Sequence, residues 1–501
     1  MRRIHFCLFF LLQNSSQLHS QILPRDNAKL NYRIIGFSFP SENSHRSCKL
    51  EIASGHFNSE DSFKKNIVST VFSNDKKVIA EVPFFNKEYT WRYTYVGKTP
   101  VKSTLHHFST GILPCSDSSN LTHLRILKKA EKHKDGFVFC DADRTLYDMA
   151  GEPVWYLPNV PDNRSIRDLK ITLAGTITFE IDDYGAFETD YNGTVIWKAP
   201  HNGTISGDST ENIHHEFTRL SNGHYMVLAQ EFRYWQQPTL TNNNLAIVTK
   251  HEVSPSELNT VYQRTPMGTL IEYDQSGAIV WSWKSADYLN PSNFFNVRTK
   301  DGYTVMHAHE NSFYFDEKKR FVYLSCRNQN RIIKIKYPEG NIERIYDGSN
   351  NDAAQKKSNA GLFCGQHSCR ISQAGILYLF NNNMCNLGEP PSVIMLEEPK
   401  HENENLKRLW EYKCSTQNRG NSLFASGGNV IELPDQSLFV SLGLPESKIL
   451  IVNREKKLLW DAIFEKWNPF QKAWEPTTLY RASIIPNRKA FEKMVWGQQH
   501  Q

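Results

Sequence analysis

One short pattern recurs along most of this 501-residue chain and constrains its fold more than any other feature. Each copy is a turn followed by a short apolar strand with an aromatic residue near its end. The aromatic residues of the six copies are Trp155, Trp197, Trp281, Tyr346, Trp410 and Trp460. A four-stranded propeller blade takes about 40–50 residues, and stacking blades around an axis buries apolar faces that each would otherwise expose. The repeats therefore predict an all-β chain in which residues 111–501 form a six-bladed β-propeller with a C-terminal closing segment.

The third copy shows how one repeat divides into strands. Its first two strands join at Asn222-Gly223, a dipeptide that favours the tight turn of a β-hairpin. We expect the third strand over residues 244–251 and the outer part of the unit over residues 268–283. Aromatic side chains in the connecting segments are candidates for stacking on an aryl ligand, namely Phe232, Tyr234, Trp235, Phe294 and Phe295.

Residues 21–110 lack the repeat and have a different organisation. Short alternating strands occur there, for example over residues 78–82 and 89–95. Alternation with period two is typical of strands that are buried on one face. The segment is therefore predicted to be a small β-sandwich of the immunoglobulin or fibronectin type III kind.

Residues 1–20 have the features of a signal peptide. Arg2 and Arg3 precede a mostly apolar run over residues 4–12, and a polar stretch ends near Ser20. This run is shorter than the roughly 20 residues that a membrane-spanning helix needs. We expect a secreted or periplasmic protein with no integral membrane segment beyond the signal, and a buried N-terminal strand is the alternative.

The charge pattern argues against one class of partner. The chain has 58 Lys and Arg against 53 Asp and Glu, a formal net charge of +5. These basic residues are spread along the sequence and form no block. Because nucleic-acid binding depends on a concentrated basic surface, we expect no nucleic-acid partner.

The cysteines indicate an oxidising compartment. Eight remain once Cys7 is removed with the signal, and an even number in an exported chain is compatible with disulfide bonds. Cys364 and Cys369 are close enough in sequence to close a small loop around His367. No CxxC pair occurs, so a cysteine-based zinc site is not expected.

The first strands of the repeats share a polar register. Aligned on the turns that follow them, they place Arg167, His215, His309, His367 and Gly428 at one position. Side chains alternate along a strand, so an equal register gives equal orientations, and first strands line the channel of a propeller. Four of these five residues are cationic or become so on protonation, which predicts an anion-binding site in the channel.

Three further polar residues accompany this ring. His214 adjoins His215, and Asn311 lies on the same strand face as His309. Arg327 follows His309 by 18 residues, at the start of a neighbouring strand. A guanidinium group is well shaped for bidentate contact with an oxyanion, so Arg327 strengthens the prediction of an anion site.

The segments around these residues resemble the arylsulfotransferase family of the bacterial, nucleotide-independent type. In chain order they are HHEFTRLSNGHYMVL, HAHENSFYFD, LSCRNQNRIIKI, GQHSCRISQAGILYLFNN, GGNVIELPDQSLFVS and the tripeptide Tyr480-Arg481-Ala482. The resemblance covers about residues 130–485. The predicted N-terminal sandwich also fits the layout of that family.

The resemblance implies an enzyme that moves a sulfuryl group from a phenolic sulfate ester to a phenolic acceptor, with no cofactor and no nucleotide sulfate donor. His367 matches the family's nucleophile, a histidine that is transiently sulfated. Sulfuryl transfer needs a nucleophile in line with the leaving group, cationic donors for the sulfate oxygens and a proton donor for the leaving phenolate. The predicted catalytic residues are His367, His309, His215 and Arg327, and the predicted substrate-binding residues are Asn311, His214 and Arg167.

One departure from the family pattern keeps other functions open. The family places an acid directly after the nucleophile, where this chain has Ser368. A secreted, non-catalytic propeller that binds an anionic or aromatic ligand is therefore the alternative function. Convergent histidines also suit zinc or copper, although the positive charge of Arg327 disfavours a metal cation beside it. A homodimer is left open as the assembly.

Overall fold

The computed structural model describes residues 22–40, 47–236, 247–248, 262–289, 308–348, 361–385, 388–401, 404–416 and 426–497. The predicted signal peptide, residues 1–20, lies outside them. The described part of the chain is mostly β, with 49% of its residues in strands and 7% in helices. It divides into two compact units, Met1–Ile112 and Leu113–Gln501. No helix in these ranges is both long and apolar enough to cross a membrane.

The N-terminal unit contains two sheets that share an aromatic core. Its strands are β1 (Ala28–Leu30), β2 (Ile34–Ser38), β3 (Cys48–Ser54), β4 (Ile67–Ser73), β5 (Lys77–Glu81), β6 (Glu88–Tyr95), β7 (Val101–Lys102) and β8 (His106–Thr110), and its helix is α1 (Glu60–Lys65). The larger sheet has the order β1-β8-β6-β3-β4 with β7 added to β6, and β2 pairs with β5. Trp91 of β6 is fully buried and packs edge-on against Phe37 of β2, with ring centroids 5.0 Å apart. Because aromatic side chains bury large apolar areas, this contact holds the two sheets together.

The described part of the C-terminal unit contains six antiparallel sheets in chain order. Four of them have four strands, the third has five and the sixth has six. The first has β10 (Phe137–Cys140), β11 (Thr145–Asp148) and β12 (Pro153–Tyr156), and the second has β13 (Arg167–Ile171), β14 (Ile177–Ile181), β15 (Gly185–Thr189) and β16 (Val195–Lys198). The third has β17 (Phe217–Arg219), β18 (Tyr225–Gln236), β19 (Ile247–Val248), β20 (Tyr262–Tyr273) and β21 (Ile279–Lys284). The fourth has β22 (Glu310–Asp316), β23 (Phe321–Cys326), β24 (Arg331–Lys336) and β25 (Ile342–Asp347).

The last two sheets continue the same order along the chain. The fifth has β26 (His367–Ile371), β27 (Leu377–Asn381), β28 (Ser392–Glu397) and β29 (Lys407–Lys413). The sixth has β30 (Asn429–Glu432), β31 (Leu438–Leu442), β32 (Lys448–Val452), β33 (Leu458–Asn468) and β34 (Ala473–Pro476). The other elements are β9 (Thr122–Lys128), β35 (Ala482–Ile485), α2 (Ser285–Tyr288), α3 (Arg488–Trp496) and 3-10 segments at Pro114–Ser116, Pro161–Asn163 and Arg327–Gln329.

The two ends of the C-terminal unit are held by strands from the opposite end of the sequence. β35 completes the first sheet by pairing antiparallel with β10, so that Phe137 lies opposite Ile485. In the other direction, β9 pairs antiparallel with β33 of the sixth sheet. One apolar cluster contains buried residues of both sheets, among them Val138 and Phe439. Main-chain pairing and shared burial therefore join the first sheet to the sixth.

The repeated aromatic residues lie on the fourth strand of each sheet and contact the next sheet along the chain. Several tryptophans donate their indole N–H to a main-chain carbonyl there. The donor–acceptor pairs are Trp155–Tyr191 (2.7 Å), Trp281–Pro338 (2.8 Å), Trp410–Arg454 (2.8 Å) and Trp460–Met149 (3.0 Å). The last pair runs from the sixth sheet back to the first. An indole N–H that packs against protein needs an acceptor, and each of these finds one on its neighbour.

The third sheet departs from the prediction. The segment 244–251 was expected to be its third strand, but that place is taken by β20, which pairs with β18 along its whole length from Tyr225↔Tyr273 to Gln236↔Tyr262. Within 244–251, Ile247–Val248 forms a short strand that pairs with the far end of β18. The two twelve-residue strands satisfy each other's main-chain groups, so Ile247–Val248 adds only a short fifth strand beside β18.

The structure describes eight cysteines. The cysteines of the described residues form no disulfide bond. The Sγ atom of Cys364 accepts a hydrogen bond from the main-chain N–H of Cys385 at 2.7 Å. Cys369 lies on β26, and its thiol contacts the main-chain oxygen of Tyr323 in the fourth sheet at 3.5 Å. The two thiols that the sequence places close enough to close a loop therefore contact different neighbours.

Candidate functional site

The predicted register places its residues at the start of successive first strands. Arg167 begins β13 and His367 begins β26. His309 directly precedes β22, and His215 lies two residues before β17. His215 and His309 have positive φ angles, 66° and 54°. This left-handed backbone is uncommon for residues other than glycine, and such strain is found preferentially at functional sites.

Six of the seven predicted site residues line one cavity of about 410 Å³. The lining residues are Arg167, Asp182, Asp183, His214, His215, Gln230, His309, Arg327, His367, Ser426, Gly427 and Tyr480. They come from all sheets except the first, together with the segment that leads into β35. Asn311 is the predicted residue that does not line the cavity.

His367 is almost fully buried, and one of its ring nitrogens lies against polar groups of its own sheet and the next. It is 1% exposed. Its Nδ1 lies 3.3 Å from the main-chain oxygen of Gly365 and 2.9 Å from Nδ2 of Asn382. The same Asn382 nitrogen lies 3.1 Å from that oxygen and 3.2 Å from the oxygen of Gly427. Its two hydrogens suffice for these two carbonyls, which leaves the His367 proton on Nδ1 and a lone pair on Nε2.

The electrostatic surroundings keep His367 neutral. Burial is the largest cause that lowers the pKa of His367 well below 6.5, and the positive charge of Arg327 is the next. A buried imidazolium beside a guanidinium would be poorly solvated and repelled. Near neutral pH the side chain is therefore an unprotonated imidazole, the form that acts as a nucleophile.

Ser368 does not take part in orienting this imidazole. Its Oγ lies 3.4 Å from both the main-chain oxygen and the main-chain nitrogen of Val430, on the neighbouring strand β30. The side chain is fully buried between the two sheets. The φ of Ser368 is 53° and the β26–β27 register shifts between His367 and Arg370, and this local irregularity directs the side chain toward β30. The orienting groups in this chain are Asn382 and the Gly365 carbonyl, and sequence reasoning missed Asn382.

The other histidines form a contiguous group. The rings of His215 and His309 lie 5.4 Å apart in an edge-to-face arrangement. The Nδ1 atoms of His214 and His215 are 2.7 Å apart, so one ring donates to the other. Burial, followed by the charge of Arg167, lowers the pKa of His214 to about 3. The pKa of His215 is lowered well below 6.5, chiefly by burial and then by its histidine and arginine neighbours.

Arg327 lies beside His309 because of hairpin geometry. In the antiparallel pair β22–β23, Glu310 lies opposite Cys326, and the Arg327 N–H donates to the His309 carbonyl at 3.0 Å. This is the structural basis of the 18-residue interval. The guanidinium donates to Oδ1 of Asn328 at 3.3 Å, a neutral acceptor, and burial lowers its pKa. Arg327 lines the cavity, and its charge is among the causes that lower the pKa of His367.

Arg167 lines the opposite side of the cavity with a carboxylate and a phenol. Its Nη2 lies 2.7 Å from Oδ2 of Asp182, and its guanidinium carbon lies 4.4 Å from the ring centroid of Tyr480. Sequence reasoning assigned no role to either partner. Tyr480 belongs to the Tyr-Arg-Ala segment, which is the signal that could have identified it. Among the described residues, Tyr480 is the one tyrosine, phenylalanine or tryptophan that lines the cavity.

Asn311 and the loop aromatics occupy other places than predicted. Asn311 is fully buried, and its Nδ2 donates to the main-chain oxygen of Gln366 at 2.8 Å, next to His367. This hydrogen bond ties Asn311 to the residue that directly precedes β26. Phe232 lies on β18 with the guanidinium of Arg264 3.3 Å from its ring centroid, and it does not line the cavity. The side chain of Trp235, together with Phe294 and Phe295, lies outside the described residues.

The cavity combines histidines with arginines. Within the ranges that the structure describes, no three His, Cys, Asp or Glu side chains are grouped as ligands for a metal ion. The chemistry that the described groups supply is a neutral nucleophilic nitrogen facing cationic donors, which suits transfer of an anionic group.

Comparison with known proteins assigns the family. The chain is similar to a protein of unknown function from Bacteroides caccae (12% identity, TM-score 0.39, 73% of this chain and 98% of that chain). It is also similar to a streptogramin B lyase (11%, 0.33, 68% and 87%) and to the dihydro-heme d1 dehydrogenase NirN (13%, 0.33, 74% and 78%). No curated protein matches the chain. The family model for arylsulfotransferase (ASST) matches residues 124–428, more than half of the sequence, and the chain therefore belongs to the arylsulfotransferase family.

Proposed function

We propose that this protein transfers a sulfuryl group from a phenolic sulfate ester to a phenolic acceptor through a sulfohistidine at His367, without a nucleotide sulfate donor. The observation that carries the proposal is the orientation of His367 in the cavity. Its Nδ1 is engaged by Gly365 and Asn382, which leaves Nε2 for the cavity, where Arg327 and His309 also lie. Membership of the arylsulfotransferase family supports the same class of reaction.

The reaction divides into two balanced halves. In the first, the Nε2 lone pair of His367 attacks the sulfur, the bond from sulfur to the aryl oxygen breaks, and the phenolate leaves. In the second, the oxygen of the acceptor phenol attacks the same sulfur, the N–S bond breaks and His367 is restored. Arg327 and His309 stabilise the charge on the non-bridging sulfate oxygens in both halves.

His215 is the proton-handling residue in this scheme. In the empty cavity its pKa lies well below 6.5, so the imidazole is neutral. Entry of the anionic sulfate ester favours the protonated form, because a nearby opposite charge stabilises a cation. The imidazolium then gives its proton to the leaving phenolate and takes one back from the acceptor phenol. His214, 2.7 Å away, holds the ring through its own Nδ1.

The proposal extends to the architecture and location of the protein. We infer that the six sheets of the C-terminal unit are the blades of a closed propeller and that the N-terminal unit is a β-sandwich. The pairing of β35 with β10 and the hydrogen bond from Trp460 to Met149 support ring closure. The sequence of residues 1–20 supports secretion or a periplasmic location.

The decisive experiment measures transfer and the covalent intermediate together. Purified protein is mixed with 4-nitrophenyl sulfate, with and without added phenol, and nitrophenolate release and phenyl sulfate formation are followed. We expect phenol-dependent turnover in the wild type and none in His367→Asn. Peptide mass spectrometry under alkaline conditions should find a sulfated His367 when the donor is present without acceptor.

His224→Asn is the matched control variant. His224 is a half-buried histidine that bonds Glu272 at 2.8 Å on the third sheet and does not line the cavity. Its replacement should leave turnover within about threefold of wild type, as for other substitutions remote from the reacting groups. Unchanged turnover in His367→Asn would reject the nucleophile. Tight binding of the ester without any transfer would support the alternative function, a non-catalytic binding propeller.

A further inference from the structure

A buried arginine lies directly behind the histidine group. Arg481 is 2% exposed and belongs to the segment that leads into β35. Its Nη1 donates to the main-chain oxygen of His215 at 2.7 Å, and its Nη2 donates to that of Asn311 at 2.8 Å. One rigid guanidinium thus bridges the third and fourth sheets at the positions that carry the cavity histidines.

The position of Arg481 is determined by two buried carboxylates. Its Nη1 lies 2.9 Å from Oε2 of Glu216 and 3.3 Å from Oδ1 of Asp168. Glu216 is fully buried and also pairs with Lys170 at 3.0 Å and Arg370 at 3.2 Å. A planar guanidinium that is held on several sides in this way has little freedom to move. Through Arg481, these buried ion pairs therefore fix the positions of the His215 and Asn311 carbonyls.

Both bridged carbonyls belong to the site. The φ of His215 itself is 66°, and Asn311 lies two residues after His309, whose φ is 54°. Uncommon backbone angles persist where surrounding contacts hold them. The two hydrogen bonds of Arg481 are contacts of that kind, one on each strand.

Arg481 also contributes a permanent positive charge close to the reacting histidines. It is among the groups that lower the pKa of His215 and of His367, although burial is the larger cause for both. The other groups that face His367 are Arg327, His309, Tyr480, Asn382 and the Gly365 carbonyl. The other groups that face His215 are His214, His309, Arg167 and Tyr480.

We propose that Arg481 is a positioning residue for sulfuryl transfer, which sets the spacing between the His215 and His309 strands and places a fixed positive charge behind them. This inference rests on the proposed function. It assigns a role in the site to a residue near the C-terminal end of the chain, and it makes completion of the first sheet by β35 a condition for an ordered site.

The test compares Arg481→Gln, Arg481→Lys and the control Arg370→Gln. Arg370 also pairs with Glu216 but bonds neither the His215 nor the Asn311 carbonyl. We expect Arg481→Gln to lower kcat by about 100-fold with KM within about threefold of wild type, because misplacement of reacting groups acts on the transition state. The acid limb of its kcat/KM profile should move to higher pH. Arg481→Lys keeps the charge but lacks the fork, so kcat should fall about tenfold with the acid limb unchanged.

Several outcomes would overturn the proposal. Equal losses of kcat in Arg481→Gln and Arg370→Gln would show a purely structural role. A kcat within threefold of wild type in Arg481→Lys and in any folded Arg481→Gln would remove the positioning role. Thermal unfolding of each variant identifies those that fold, and Arg481→Lys alone decides the matter if the glutamine variant does not.

A second readout needs no turnover. Diethylpyrocarbonate modifies neutral imidazole, so its labelling of His367, read by mass spectrometry between pH 5 and 8, reports protonation directly. We expect nearly constant labelling in the wild type and in Arg481→Lys, and labelling that falls with decreasing pH in Arg481→Gln. Identical profiles would contradict the role of Arg481. Absence of sulfuryl transfer in the wild type would reject the proposed function, and the labelling profiles would still decide the role of Arg481.

Discussion

The side-chain amide nitrogen of Asn382 lies 2.9 Å from Nδ1 of His367 and packs against the ring from the residue that follows β27. The same amide bonds the carbonyls of Gly365 and Gly427, on either side of the ring. Around Nδ1 this chain has a neutral amide and the Gly365 carbonyl, while Ser368 faces Val430. The absence of an acid at position 368 therefore does not leave the imidazole without support.

Replacing Asn382 should reduce catalysis more than stability. In Asn382→Leu the ring of His367 loses a neighbour that sets its orientation, and we expect kcat to fall about 10- to 100-fold. Two buried carbonyls also lose a donor, which should cost about 1–3 kcal/mol in the free energy of unfolding. Steady-state kinetics and urea unfolding measure the two effects. Asn383→Gly, in the same segment but without a bond to His367, is the control, and a kcat near wild type in Asn382→Leu would contradict this role.

Ser368→Gly should reduce stability more than catalysis. The hydroxyl lies 3.4 Å from two main-chain atoms of Val430, and the φ of 53° at position 368 suits glycine. We expect unfolding to become easier by about 1 kcal/mol through the lost hydrogen bonds. Turnover should remain within about threefold of wild type. A hundredfold loss of kcat in this variant would show that the side chain at position 368 orients the His367 imidazole.

The low pKa of His367 should appear in the pH dependence of stability. In the unfolded chain this imidazole takes up a proton as pH falls through 6.5, whereas the folded form stays neutral because its pKa lies well below that value. Protons then favour the unfolded state, so stability falls toward acid pH. Between pH 7.5 and 5 the loss from one such group is about 2 kcal/mol.

His367→Asn removes this group. Between pH 7.5 and 5, the free energy of unfolding of the variant should therefore fall by about 2 kcal/mol less than that of the wild type. Comparing the two proteins cancels groups of opposite sign, such as Asp141, whose pKa burial raises to about 7. Urea unfolding at pH 7.5 and 5 measures the difference. Parallel behaviour of the two proteins would show that the folded imidazole has an ordinary pKa.

Glu216 should be among the most sensitive ionic residues of the chain. It is fully buried and pairs with Lys170, Arg370 and Arg481, so Glu216→Gln leaves buried cations without their shared counter-ion. We expect a loss of about 3–5 kcal/mol in unfolding free energy. Glu343→Gln is the control, since its pair with Lys336 is solvent-exposed and should be worth less than about 1 kcal/mol. Similar losses in both variants would contradict the assignment.

The sequence alone predicted the features that depend on local periodicity. The aromatic residue near the end of each repeat, such as Trp155 or Trp460, marked the fourth strand of its sheet because turn residues and apolar alternation are local signals. Likewise, the shared register of His215, His309 and His367 predicted that these residues would meet, and they line one cavity. The family followed from the motifs around them.

The tertiary structure decided what lies next to each of these side chains. Asn382 reaches His367 across a strand pair, Arg481 reaches His215 over a sequence separation of 266 residues, and Ser368 turns away toward Val430. The third strand of the third sheet is β20 and not the predicted segment 244–251, because pairing with β18 determines which segment takes that place. Periodicity determines which face of a strand a residue occupies, but the partner on that face is set by long-range pairing and burial. A single strand's sequence carries no record of its partner, so the catalytic surroundings emerge only when the sheets pack together.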